Sequence, residues 1–195
     1  NENSIDPKAK PEIIKDAGAF TLVDGKNAMG QFSAYYSMNI AIEKAKKFGS
    51  STVSLKGGNH MGTMAYFAQM AAKADMIGIC FTQGAANIMA PFGSSEVLLG
   101  NNPIGCAIPA YSKPDVVIDM ALSIVAAGKL HIAAITGQSI PSAWALDKDG
   151  NPITDPSKFY TLQPIAGYKG YGLAFITTLL TAVLCDCPWG RNQHD

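Results

Sequence analysis

Three short stretches carry residue types with chemistry to offer. In the first, His60 sits in Gly57-Gly58-Asn59-His60-Met61-Gly62, between a predicted strand and a predicted helix. Glycines let a backbone approach a ligand closely, and a helix N-terminus presents unpaired N–H groups to an anion. Histidine ordinarily titrates near neutrality, so it suits a proton transfer there, but it equally suits capping the helix or bonding a turn carbonyl. The chain has three histidines; His131 falls inside a predicted helix and His194 in the tail, which leaves His60 the best placed. In the second stretch, Ile118-Asp119-Met120-Ala121-Leu122-Ser123, the aspartate ends an apolar run, and open α/β sheets bind ligands outside such strand ends. Asp119 reads either as an acceptor for a sugar hydroxyl or as a residue that orders a loop, with Ser123 as the N-cap of the next helix. In the third, Gly167-Tyr168-Lys169-Gly170-Tyr171-Gly172, the lysine can reach a phosphate or can simply be a solvated cation on a flexible turn.

The elements that would position these stretches alternate in type. Phe20–Val23 is a short apolar strand closed by Asp24-Gly25, and Ser33–Phe48 is a helix with Met38, Ile42 and Ala45 at helical spacing. Lysines gather near its C-terminal end, where they suit the helix dipole, and Gly49 is its natural stop. Thr52–Leu55 is a β-branched strand, Thr63–Ala74 an alanine-rich helix, and Met76–Thr82 a wholly apolar run expected to be a strand covered on both faces. Val116–Asp119 reads as another buried strand, Ser123–Thr136 and Gly170–Leu184 as helices, and Asp147–Pro156 as a surface loop. The passage from Gln83 to Pro109, rich in glycine, proline and asparagine, is too long for an ordinary connection and is expected to line a site. The first dozen residues, with Pro7 and Pro11, read as an extended lead-in. The order argues for an α/β domain, a mixed sheet flanked by helices.

Composition narrows the function classes. The chain has 195 residues, 48% hydrophobic and only 15% charged, which is the profile of a folded single domain. Its 15 basic residues balance 15 acidic ones, so no net field draws it to nucleic acid or anionic lipid. Only Arg191 among the basic residues is an arginine. The four cysteines form no paired zinc pattern and are expected to be reduced thiols without metal in a cytoplasmic protein. The apolar segment Leu173–Cys187 is interrupted by Thr177, Thr178, Thr181 and Asp186, and no membrane anchor is expected from it. There is no G-x-G-x-x-G, no Walker lysine loop, no G-x-S-x-G and no H-E-x-x-H.

Taken together, the short motifs have an order and spacing that resemble one known family. They are Leu22-Val23-Asp24-Gly25-x-Asn27-x-x-Gly30-Gln31, Asn59-His60-x-Gly62, Ala90-Pro91-Phe92-Gly93, Leu99-Gly100-x-Asn102-Pro103, Asp119-Met120-Ala121-x-Ser123, Trp144-Ala145-Leu146-Asp147-x-x-Gly150, Thr154-Asp155-Pro156 and Lys169-Gly170-Tyr171-Gly172-Leu173. This set closely resembles the malate/L-lactate dehydrogenase family, which also includes ureidoglycolate and L-sulfolactate dehydrogenases and diketogulonate reductases. The resemblance runs from about Pro7 to Gly190.

The resemblance implies an oxidoreductase that uses NAD or NADP to interconvert a small 2-hydroxy acid and its 2-oxo acid, on a nicotinamide-binding fold that is not the Rossmann domain. Carried over by motif, His60 is the catalytic residue that exchanges the hydroxyl proton. Ile118, Asp119 and Met120 contact the cofactor at a strand end, Lys169 and Gly170 contact it from a loop, and Thr82 and Gly84 line its pocket. The partner is a small-molecule substrate, with neither nucleic acid nor membrane, and the family suggests a homodimer. A noncatalytic module that binds a dinucleotide or small acid is the alternative. Where the family often has histidine before the lysine, this chain has Tyr168. The family's N-terminal helices, with a Ser-His-Gly segment and an arginine for the substrate carboxylate, and its C-terminal continuation have no counterpart in these residues, which are therefore expected to be one core of a longer polypeptide.

Overall fold

The computed structural model describes residues 5–84 and 87–192. Its contacts divide the chain into two compact units, Asn1–Phe81 with Ile104–Met120 and Leu180–Cys187, and Thr82–Pro103 with Ala121–Leu179 and Pro188–Asp195.

In the first unit, strands β1 (Glu12–Ala17), β2 (Phe20–Asp24) and β3 (Thr52–Lys56) form a sheet in that order. β1 runs antiparallel to β2 while β2 runs parallel to β3, so the sheet is mixed. Parallel neighbours need a crossover, and helix α1 (Gly30–Phe48) supplies it. The helix ends as its sequence requires: Gly49 takes the left-handed conformation at φ 83° and its N–H bonds Ala45 O, with Lys46 and Lys47 in the last turn. β1 begins where the stretch read as a lead-in ends and was not expected as a strand. All of its residues are exposed, so it carries no buried alternation by which a strand could be recognised.

Helix α2 (Met64–Ala72) lies on a second, antiparallel sheet of β4 (Gly78–Phe81), β5 (Ile104–Ile108) and β6 (Val116–Met120). Small residues make the approach possible: Ala68 and Ala72 of the helix are buried against Ala107, with Cys80 beside them. Pairing aligns Ile79, Cys106 and Ile118 in one row across the three strands and Phe81, Ile104 and Met120 in another, with Ile108 opposite Val116. Of this second face, Ile79, Phe81, Ile108, Val116, Ile118 and Met120 are exposed. Two expectations are thereby corrected. The Met76–Thr82 run forms a shorter strand covered on one face, and Val116–Asp119 is exposed throughout β6 rather than buried. Apolar content alone does not say how many faces of a strand are covered. β5, within the Gln83–Pro109 passage, is a strand where a site-lining loop was expected.

The second unit is built on a cluster of Val125, Leu130, Ala133, Ile140, Ala145, Ile153 and Leu162, with Trp144 and Phe159 packed against it. It contains helix α3 (Ala127–Thr136), the short pair β7 (Ala145–Leu146) and β8 (Thr161–Leu162), and most of helix α4 (Tyr168–Thr181). α3 begins after Ala126, so Ser123 is not its N-cap; the Ser123 hydroxyl donates to Val125 O at 2.8 Å instead. α4 runs on into a 3-10 turn at Val183–Cys185, and the stretch Tyr168–Cys185 is long and apolar enough to cross a membrane by length and composition, with mean hydropathy 1.3. This stretch begins five residues before the Leu173–Cys187 segment singled out in the sequence. Only a third of the stretch is buried within the protein, and Leu173, Ile176, Leu179, Leu180, Val183 and Leu184 are exposed.

Candidate active site

The residues singled out in the sequence divide between the two units. His60, Ile118, Asp119 and Met120 belong to the first, and Thr82, Gly84, Lys169 and Gly170 to the second.

In the first unit, His60 is exposed on the loop between β3 and α2, and both sides of it are held. On its N-terminal side, the Asn59 side-chain amide donates to Asn27 O at 3.1 Å, Asn27 Oδ1 at 2.8 Å and Ala28 O at 2.9 Å. The Asn27 turn that accepts these bonds has left-handed backbone at Lys26 and Asn27, and Asn27 N bonds Gly57 O at 2.9 Å. Gly30, opening α1, lies so close that a Cβ there would collide with the carbonyl oxygens of Asn59 and His60. On the C-terminal side, Asp119 Oδ2 accepts the Thr63 hydroxyl and, at 3.0 Å, the backbone N–H of Ala65 in the first turn of α2. Thr63, at the N-cap position, therefore spends its side chain on Asp119 rather than on the helix, and a carboxylate from another strand answers an orphan N–H and the positive end of the dipole. Of the two readings open for Asp119, ordering a loop is the one this geometry displays.

Asp119 extends from β6 on the face opposite Ile118 and Met120, whose exposed side chains belong to the open side of the sheet. Cys80 shares the helix-facing side; burial pushes its thiol up to about 12, with Cys106 and Asp119 adding to the rise. Beside His60, the residues Gln31, Phe32, Tyr35, Met61, Gly62, Thr63, Tyr66 and Phe67 line an open cavity of about 500 Å³.

In the second unit, Thr82 N bonds Pro103 O at 3.3 Å, and Gly84 N donates to Asn102 Oδ1 at 3.0 Å. Asn102 is wholly buried, and its amide donates to Ala174 O at 2.9 Å and Thr178 Oγ1 at 2.7 Å, tying the Gly84 segment to α4. Buried polar groups satisfied in this way stiffen what they join. Gln83 and Asn87 on either side donate to Pro188 O and Gly190 O, whereas Gln83 Oε1 and Asn87 Oδ1 are buried acceptors to which nothing donates among the described residues. At the head of α4, Gly170 is buried where a Cβ would strike Ile165 O, and Lys169 is exposed in the first turn. Arg191 is committed elsewhere: its Nη2 donates to Glu96 Oε1 and Oε2 at 2.8 and 3.0 Å. His194 lies outside the described residues.

Asn59, Thr63 and Asn102 gained no role from sequence reasoning. Asn59 and Asn102 were present in the quoted motifs, but an amide's partners depend on which distant turn or helix lies beside it.

A family model described as malate/L-lactate dehydrogenase matches residues 1–195. The chain belongs to the malate/L-lactate dehydrogenase family. Its motif resemblance is thus borne out across the whole length. Among relatives in this dehydrogenase family, the chain is 40% identical over 183 residues to malate/(S)-sulfolactate dehydrogenase of Methanothermus fervidus, covering 93% of this chain and 53% of that protein. It is 39% identical over 171 residues to the NAD(+) ureidoglycolate dehydrogenase of Escherichia coli O157:H7, covering 88% and 49%. The crystal structure of malate dehydrogenase from Entamoeba histolytica superposes with a TM-score of 0.91 at 30% identity, covering 97% of this chain and 56% of that one. Sulfolactate dehydrogenase from Methanocaldococcus jannaschii does so with a TM-score of 0.88 at 38% identity, covering 97% and 54%. The chain spans about half the length of the dehydrogenases it matches.

Proposed function

We propose that the protein is a cytoplasmic, homodimeric oxidoreductase that uses NAD or NADP to interconvert a small 2-hydroxy acid and its 2-oxo acid, on a nicotinamide-binding fold other than the Rossmann domain. The observation that carries the reading is His60: the motif residue with proton chemistry is exposed on a loop anchored on both sides, in a chain matched along its whole length by a dehydrogenase family. Relatives named for malate, sulfolactate and ureidoglycolate support the substrate class.

In the direction of reduction, His60 gives a proton to the carbonyl oxygen of the 2-oxo acid as its carbonyl carbon gains hydride; in oxidation it takes the hydroxyl proton back. A nicotinamide cofactor supplies or accepts that hydride when bound. The donor set fits such a group. Gln83 Oε1 and Asn87 Oδ1 are acceptors awaiting N–H or O–H donors, and Lys169 and the N–H groups heading α4 suit a phosphate. In this reading Thr82, Gly84, Ile118, Asp119, Met120, Lys169 and Gly170 bind the cofactor. Arg191 pairs with Glu96 in an exposed ion pair, and no motif aims it at the substrate.

The test is quenching of protein fluorescence by NADH and NADPH, paired with turnover on a panel of 2-oxo acids using the full-length protein. An enzyme binds and turns over, a binding module only binds, and the absence of both would end the reading.

A further inference from the structure

We infer that Asn59 and Asp119 are positioning residues for His60, and that they hold the histidine loop from its two sides. The inference rests on the reading of His60 as the proton relay. A loop of glycines would leave the imidazole free to wander, because glycine backbone is the least restricted of all. Gly57 and Gly58 precede His60 and Gly62 follows it, with left-handed backbone at Gly57 and Gly62. Restriction must therefore come from side chains. Asn59 supplies it with all the donor capacity of its amide, spent on Asn27 and Ala28 in the turn before α1. Asp119 supplies it on the other side by joining the Thr63 hydroxyl and the Ala65 N–H on a single oxygen, Oδ2. Oδ1 accepts no hydrogen bond among the described residues, so the same carboxylate retains an acceptor for a ligand. His60 itself makes no hydrogen bond among the described residues, which leaves its ring available while its neighbours carry the anchoring.

Proton transfer is steeply sensitive to placement, and a shift of about 1 Å can cost on the order of 10²-fold in rate. Thr63 offers a clean probe because it is exposed and removing its hydroxyl leaves Asp119 in place. The experiment compares wild type, Thr63→Val and Thr63→Ser in the full-length protein, measuring kcat and its pH profile, the dissociation constant of NADH, and amide hydrogen exchange across residues 60–63. Thr63→Val should lower kcat roughly 10-fold or more, speed exchange at 60–63, and leave NADH affinity within about twofold. The pH profile should keep its shape while its height falls. Thr63→Ser, which restores the donor, should recover kcat to within about threefold of wild type. Wild-type kcat in Thr63→Val, or an equal loss in Thr63→Ser, would overturn the inference. A wild-type protein with no turnover on any 2-oxo acid would instead sink the dehydrogenase reading, and this inference with it.

Discussion

Exchanging the His60 imidazole for an amide removes the proposed proton carrier but leaves the Asn59 and Asp119 anchors in place. General acid–base catalysis is worth about 10²- to 10⁴-fold, so His60→Asn should cut turnover of the full-length protein by that order with NADH affinity nearly unchanged. Steady-state kinetics with a parallel fluorescence titration checks both halves. Lys169 is exposed at the head of α4 with no ion pair among the described residues, free to meet a phosphate. Charge-assisted hydrogen bonds are worth roughly 1.5 to 3 kcal/mol, and each 1.4 kcal/mol is about tenfold. Lys169→Ala should therefore weaken cofactor binding by about one to two orders of magnitude, and an unchanged dissociation constant would remove it from the site. Cys80 behaves oppositely. With burial holding its thiol at about 12, it is un-ionised at neutral pH and should resist maleimide under native conditions, as mass spectrometry of the labelled protein can establish. What was legible at this scale was residue type and order: His60, Asp119 and Lys169 stood out from their glycine surroundings. What was not legible was commitment, because the pairing of Asp119 with Thr63 spans 56 positions and that of Arg191 with Glu96 spans 95.

Between the residue and the fold lie loops whose shape is set by carboxylates. Asp147 Oδ1 accepts the N–H of Asn151 at 2.8 Å and of Asp149 at 3.0 Å, and Asp155 Oδ1 accepts both the hydroxyl and the N–H of Ser157. These bonds hold both carboxyls below their ordinary value, as the Lys44 ammonium does for Asp16. A carboxyl depressed in the folded state adds stability above its unfolded value, about 3.9 for aspartate, and loses it as pH falls through the folded one. The thermal midpoint should thus hold steady above about pH 5 and fall below about pH 4. Asp147→Ala should shallow that fall, and a midpoint indifferent to acid would contradict the loop assignment. Helices α1 and α2 and strands β2 and β3 were legible because periodicity and Gly49 mark them. α3 was placed too early because Ser123, a good cap by type, spends its hydroxyl on Val125. β1 and β5 were missed because an exposed edge and a glycine-bearing strand both lack the alternation that pattern reading needs.

At the scale of the whole chain, the open face of the β4–β6 sheet is its least settled surface. Ile79, Phe81, Ile108, Val116, Ile118 and Met120 are all exposed on one side of an antiparallel sheet. Soluble monomers seldom leave contiguous apolar patches beyond a few hundred Å² uncovered. The 195 residues by themselves are therefore expected to bind anilinonaphthalene sulfonate or self-associate, and Ile79→Lys with Ile118→Lys should abolish both in a dye titration and a sedimentation run. The family was legible in the sequence because many short motifs share one order, whereas this open face was not, since β6 is apolar on paper whichever side is covered. The proposed reaction is hydride exchange between a nicotinamide cofactor and a 2-hydroxy acid with His60 carrying the proton. Its most direct measurement is NADH and NADPH oxidation at 340 nm by the full-length protein over a panel of 2-oxo acids including oxaloacetate and pyruvate, with His60→Asn alongside. Turnover is expected with at least one cofactor and acid, reduced about 10²- to 10⁴-fold in the variant; no turnover with any pair, or a variant as active as the wild type, would contradict that reaction.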